Sequence, residues 1–195
     1  MKRPLAVFFM FLVSVAATRA DGPTIFTFDD VSPVEYVQIQ NGYGGLDWQN
    51  FFIQNAANTP PFDIGMVSSP NVAFNGLGDP ASISSGNTFT LQSACLIAAY
   101  VNVEQIRVQG FTQGIQTYDN TYTINDNAPT LVNFNYVGVD QVSFTALAPL
   151  STDIFAMDNM VIAVPEPNPC ALMLLCTALG MFVVLARKAG IGERT

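Results

Sequence analysis

Between Asp21 and Ala163 no segment repeats its apolar positions at the 3.6-residue helical period; apolar and polar residues alternate instead, over short runs broken by Gly, Pro, Asn and Asp. That constrains the segment to strands joined by turns. The pattern predicts strands over Thr24–Phe28, Glu35–Gln40, Asp47–Gln54, Asn71–Asn75 and Thr88–Val101, the last bent near Ser93. It continues with Gln105–Phe111 and Ile115–Ile124, joined by the hairpin loop Thr112-Gln113-Gly114, in which Gly supplies a positive φ. Thr130–Tyr136, a turn at Gly138-Val139-Asp140, Gln141–Leu147 and Phe155–Val164 complete the series, while Asn58–Asp63 and Gly76–Gly86 read as loops. So many short strands without a fixed repeat predict an all-β fold, an antiparallel two-sheet sandwich of jelly-roll type.

Charge narrows what such a domain can do. Residues 21–163 hold thirteen Asp and Glu and a single base, Arg107, a net charge of −12. This surface repels nucleic acid and anionic lipid and suits a neutral partner or a cation. The chain has no His, which excludes a Ser-His-Asp triad, a Cys-His pair and a zinc site with His ligands. Cys95 is alone in this segment, so no disulfide staples it, and its apolar surroundings Ala94 to Ala99 predict a buried, inert thiol. The acids are scattered through turns with no spacing that singles out an acid and a base, so the domain is expected not to be an enzyme.

The two ends differ in kind. Lys2 and Arg3, the apolar stretch Leu5–Ala17 and Thr18-Arg19-Ala20 have the three parts of a secretory signal peptide, residues 1–20. At the other end Val164-Pro165-Glu166-Pro167 precedes 17 apolar residues from Cys170 to Ala186, and then Arg187-Lys188. A helix of that length reaches roughly 25 Å, nearly the hydrocarbon thickness, and the basic pair would hold its end in the cytoplasm. The order of Pro-Glu-Pro, apolar helix and basic stop, in a chain that also has a signal peptide, resembles the PEP-CTERM sorting signal of Gram-negative bacteria. The resemblance covers residues 164–188 and implies processing by a membrane protease-transpeptidase, exosortase, after signal peptidase has acted. It makes Val164, Pro165, Glu166, Pro167, Arg187 and Lys188 the sorting residues, with 189–195 a short cytoplasmic tail. The protein is then expected to be exported, held in the membrane by its C-terminal helix before processing, and delivered to the surface or matrix. The exported domain is 21–163, and Ala163–Pro169 is a stiff, proline-rich linker.

Two constellations in the exported domain carry chemistry. Asp29-Asp30 follow the first strand and Asp158 lies in the last; domain termini tend to approach each other, and gathered carboxylates are Ca²⁺ ligands. The alternative is ordinary turn-capping acids. Tyr43, Trp48, Phe51 and Phe52 cluster beside a Gly-rich loop, an arrangement that can hold a sugar ring or serve as core. Strict alternation places Trp48 and Phe52 on one face and Phe51 on the other, so Tyr43, Trp48 and Phe52 are the candidate glycan contacts. The segments Phe28-Asp29-Asp30, Gly42-Tyr43-Gly44-Gly45-Leu46-Asp47-Trp48-Gln49-Asn50-Phe51 and Phe155-Ala156-Met157-Asp158-Asn159-Met160 resemble a group of secreted, uncharacterised sandwich proteins of bacteria and fungi. That resemblance implies a jelly-roll, galactose-binding-like shape. Two functions remain open: a structural or adhesive surface protein, and a carbohydrate-binding module whose partner is extracellular polysaccharide.

Overall fold

A computed structural model describes residues 22–31, 36–147 and 153–164. The expected signal peptide, transmembrane helix and cytoplasmic tail lie outside the described residues. So do Pro165, Glu166, Pro167, Arg187 and Lys188 of the expected sorting signal, and Glu35, the expected start of the second strand.

The strands are β1 (Thr24–Phe26), β2 (Val37–Gln38), β3 (Asp47–Gln49), β4 (Phe51–Asn55), β5 (Asn71–Asn75), β6 (Ala81–Ala98), β7 (Val103–Thr112), β8 (Ile115–Asn125), β9 (Thr130–Ala146) and β10 (Phe155–Ala163); one short helix, α1, spans Phe62–Gly65. All pairing is antiparallel, in the order β2-β4-β5-β10-β6-β9-β7-β8, with β1 on β10 and β3 on β6. β6 and β9 belong to both layers of the sandwich. The first part of β6 pairs with β3 and the end of β9; the last part pairs with β10 and the start of β9.

The β6–β9 ladder shifts register at three places between Ser84 and Ser93. Phe89 faces Val139 and Leu91 faces Tyr136, so β9 carries an extra residue there, with Gly138 at φ 72°. The turn expected at Gly138-Val139-Asp140 is therefore a bulge inside one continuous strand. Likewise Ala81–Gly86, expected as loop, opens β6, because Ser82 and Ser84 pair with β3 on one side and β9 on the other. The β7–β8 connection is tighter than expected. Thr112 pairs with Ile115, leaving two residues, Gln113 (φ 53°) and Gly114 (φ 76°), in the positive-φ conformations that suit strand twist.

Phe51 and Phe155 from one layer meet Phe144 from the other, with ring centroids 5.7–6.1 Å apart. All three are fully buried, and each such ring contributes about 1.5–3 kcal/mol through burial. A second, smaller core lies where Phe62 and α1 cover β5 and β6: Ala56, Val72, Phe74, Ile97, Ala99, Ile154 and Ala156. Here α1 approaches so closely that a Cβ on Gly65 would clash with Ile97 Cγ2.

Candidate functional site

The acids expected to share a cation do separate work. Asp158 is fully buried on β10. Its Oδ2 accepts the backbone N–H groups of Val67 and Ser68, each at 2.7 Å, and its Oδ1 accepts the Ser68 hydroxyl at 2.9 Å and the Asn159 N–H at 2.6 Å. Burial pushes its carboxyl upward, and these bonds to Ser68, Val67 and Asn159 oppose that. Asp29 Oδ1 accepts the N–H of Asn71, and Asp30 Oδ1 accepts the Tyr43 hydroxyl at 2.7 Å. Among the described residues no group of three acids, Cys or His is placed to hold a metal ion, so the expected Ca²⁺ set of Asp29, Asp30 and Asp158 is not assembled. The acids act instead as anchors. The chain entering from β1 is tied to the loop before β5 by Asp29, by the Asn71 side chain on Phe28 and Val31 carbonyls, and by Ser68.

The aromatic cluster is also redistributed. Asn50 sits at φ 56° between β3 and β4, and its side-chain amide donates to the carbonyls of Gly76, Asp79 and Pro80. This bend resets the alternation. Trp48 and Phe51 therefore share the main core, edge to face at 5.5 Å, while Phe52 turns to the second core. Trp48 donates its indole N–H to the Tyr43 carbonyl and is buried in the main core. Tyr43 lines a depression of about 280 Å³ with Thr24, Ile25, Phe26, Thr27, Asp30 and Gly44. Its hydroxyl is pushed well above the usual phenol range by burial and by Asp30. Cys95 is half-buried rather than enclosed, and burial beside Asp158 pushes its thiol up.

The feature that single-strand reading missed is a face made across strands. Register places Gln49, Ser82, Ser143, Gln109 and Asp119 in one row over β3, β6, β9, β7 and β8. The next row is Asp47, Ser84, Gln141, Phe111 and Gln116, and a shorter one is Thr145, Arg107 and Thr121. On β3, β6, β9 and β7 the neighbours in sequence, among them Trp48, Ile83, Val142, Phe144 and Val108, are buried, so these side chains point away from the core, and Asp119 and Gln116 of β8 join the same face through their bonds to Arg107 and Gln109. Arg107 grips Asp119 with two guanidinium nitrogens. The Arg107 side chain holds the Asp119 carboxyl below the usual range. Gln109 Nε2 donates to Gln116 Oε1 at 2.7 Å, and both amides reach Asp119 Oδ2. At the far edge the Ser82 hydroxyl donates to Gln49 Oε1. The result is a face of oriented amides and hydroxyls around the Arg107–Asp119 pair. Such groups exchange hydrogen bonds with a polyhydroxylated chain lying across the strands.

No family model matches the chain, and no curated protein matches it. Solved structures do. A DUF4465 family protein from Bacteroides caccae superposes with a TM-score of 0.52 at 9% identity, over 78% of this chain and 97% of that one. The K2 cleaved adhesin domain of Lys-gingipain gives 0.48 at 10% identity, over 73% and 100%. The tandem CBM22 domains of Paenibacillus barcinonensis Xyn10C give 0.45 at 12% identity, over 79% and 48%. The first likeness supports the sandwich fold and, at that identity, speaks to fold alone.

Proposed function

We propose that this is a non-catalytic adhesive domain of the cell surface or extracellular matrix, and that its polar sheet face holds neutral polysaccharide. The observation that carries the reading is the set of rows on β3, β6, β9, β7 and β8, rich in Gln, Ser and Thr. The single Arg of a domain with net charge −12 is spent on Asp119, which leaves little to attract an anionic polymer. Hydrogen bonding to a neutral chain gains specificity from oriented amides and is insensitive to salt. The test is affinity electrophoresis through neutral and anionic polysaccharides. Retardation by a neutral polymer, unchanged by salt and weakened several-fold in Gln109→Ala/Gln141→Ala with melting unchanged, supports it. Equal mobility in every polymer removes it.

Delivery is the second part of the proposal. Signal peptidase would release residues 1–20, and an exosortase-type enzyme would act at Pro165-Glu166-Pro167, with the membrane helix and Arg187-Lys188 holding the substrate. Glu166→Ala is expected to leave the unprocessed form in the membrane fraction. Unchanged size and surface delivery would reduce the segment to a plain anchor.

A further inference from the structure

We infer that β8 pairs with β8 of a second copy of this chain, about a two-fold axis at Asn120, and so doubles the polar sheet. Among the described residues β8 shares its backbone ladder only with β7, its side-chain bonds from Tyr118 and Asn120 reaching Val137 and Tyr136 on β9, and its other backbone edge is open. Natural open edges are usually blunted by Pro, by Lys or by brevity. This one spans 11 residues, Ile115–Asn125, without Pro or Lys, whereas the opposite edges β2 and β3 have two and three. A bulge does occur: Gly110 faces Tyr118 but Phe111 faces Gln116, so Thr117 is the extra residue and regular pairing begins at Tyr118.

The regular segment opens with a sequence that reads similarly in both directions: Tyr118-Asp119-Asn120-Thr121-Tyr122. Antiparallel pairing about Asn120 sets Tyr118 opposite Tyr122, Asp119 opposite Thr121 and Asn120 opposite itself. Isologous contact requires this self-complementarity. Tyr118 and Tyr122 are only half-buried; they rest on Tyr136 and Phe134, at 4.4 and 5.3 Å between rings. Paired across the seam, each ring would gain apolar cover from its counterpart. Electrostatics favour this edge over the rest of the surface. Two domains of charge −12 repel, but the one acid between Ile115 and Asn125 is Asp119, and Arg107 neutralises it. Pairing also keeps the two Asp119 side chains off one another, since each meets Thr121. The short register makes the contact weak on its own. The inference stands independently of any glycan.

The experiment is disulfide trapping in the full chain carrying Cys95→Ser, Cys170→Ser and Cys176→Ser. Residues directly opposite in an antiparallel pair have Cα atoms about 4.5–5.5 Å apart, within reach of a disulfide. Asn120→Cys is therefore expected to give a covalent dimer on oxidation. Thr123→Cys, whose symmetry mate lies roughly 20 Å away along the strand, is expected to stay monomeric. Adding Thr121→Asp sets a second carboxylate opposite Asp119 of the other copy and should suppress the Asn120→Cys dimer several-fold. Equal trapping at both positions overturns the inference, as does a folded Asn120→Cys chain that stays monomeric. Sedimentation of the chain without the Asn120 and Thr123 substitutions decides the case if those variants fail to fold: a monomer at every concentration overturns it.

Discussion

Glu104 shows how one side chain can write its environment into the stability of the whole. It lies on the inner face of β7 opposite Ile124, 2% exposed, and neither carboxylate oxygen has a hydrogen-bond partner among the described residues. Burial, and then the charge of Asp153, raise its pKa from 4.5 to about 7. Between those values the native state holds a proton that the unfolded chain has released. Stability therefore falls as pH rises through this window, by about 1.4 kcal/mol per unit and roughly 3 kcal/mol in all, and then levels off. Urea unfolding at pH 5 to 8 should show the midpoint dropping, and Glu104→Gln should flatten most of the slope. A residual slope of the same sign is expected from Asp158, whose carboxyl burial also raises. Asp158→Asn tests the anchoring role directly. An amide cannot accept all four donors, so the variant should lose about 2–4 kcal/mol. The loss should be the same in calcium and in chelator; a loss seen only in calcium would return Asp158 to the metal.

At the scale of elements, Asn50 decides which aromatic faces the core. Two effects combine in it, a left-handed conformation and one amide NH2 whose two hydrogens are shared among three carbonyls. Asn50→Ala loses both and should cost about 2–3 kcal/mol, whereas Asn50→Gly keeps the conformation and should cost about 1 kcal/mol less. Urea unfolding followed by the fluorescence of Trp48, the one Trp in the chain, measures the difference. The same residue marks the limit of what sequence can reveal. Alternation located β7 and β8, and turn-rich flanks bounded β5 and β10, because these signals are written in consecutive residues. Alternation failed at Asn50 and Gly138, where a positive φ inserts a phase change that no hydrophobicity pattern encodes. The fully buried Asp158 and the amide rows failed for another reason. Asp158 is held by residues about ninety positions away, and the rows exist only once five strands take their register. The outer identity of Gln105, Arg107 and Gln109 was legible; their neighbours were not.

For the whole molecule, residues 22–164 contain both cores and every strand described here. A fragment with those bounds should fold alone and give a circular dichroism spectrum dominated by strand, and a strongly helical spectrum would contradict this. Long β6 and β9 make the two layers one hydrogen-bonded fabric, so the sandwich has no seam along which a layer could peel away. The way β10 is seated has a mechanical consequence. It is the strand that leads directly to Val164 and the linker, and it lies inside the sheet, flanked by β6 on one side and by β5 and β1 on the other. Were the C-terminus tethered and the β7–β8 face loaded, as proposed above, the tension would enter the domain through β10. Its flanking ladders would be loaded in shear, many bonds at once, instead of being unzipped singly from an edge. A domain hung this way would resist traction applied at that end.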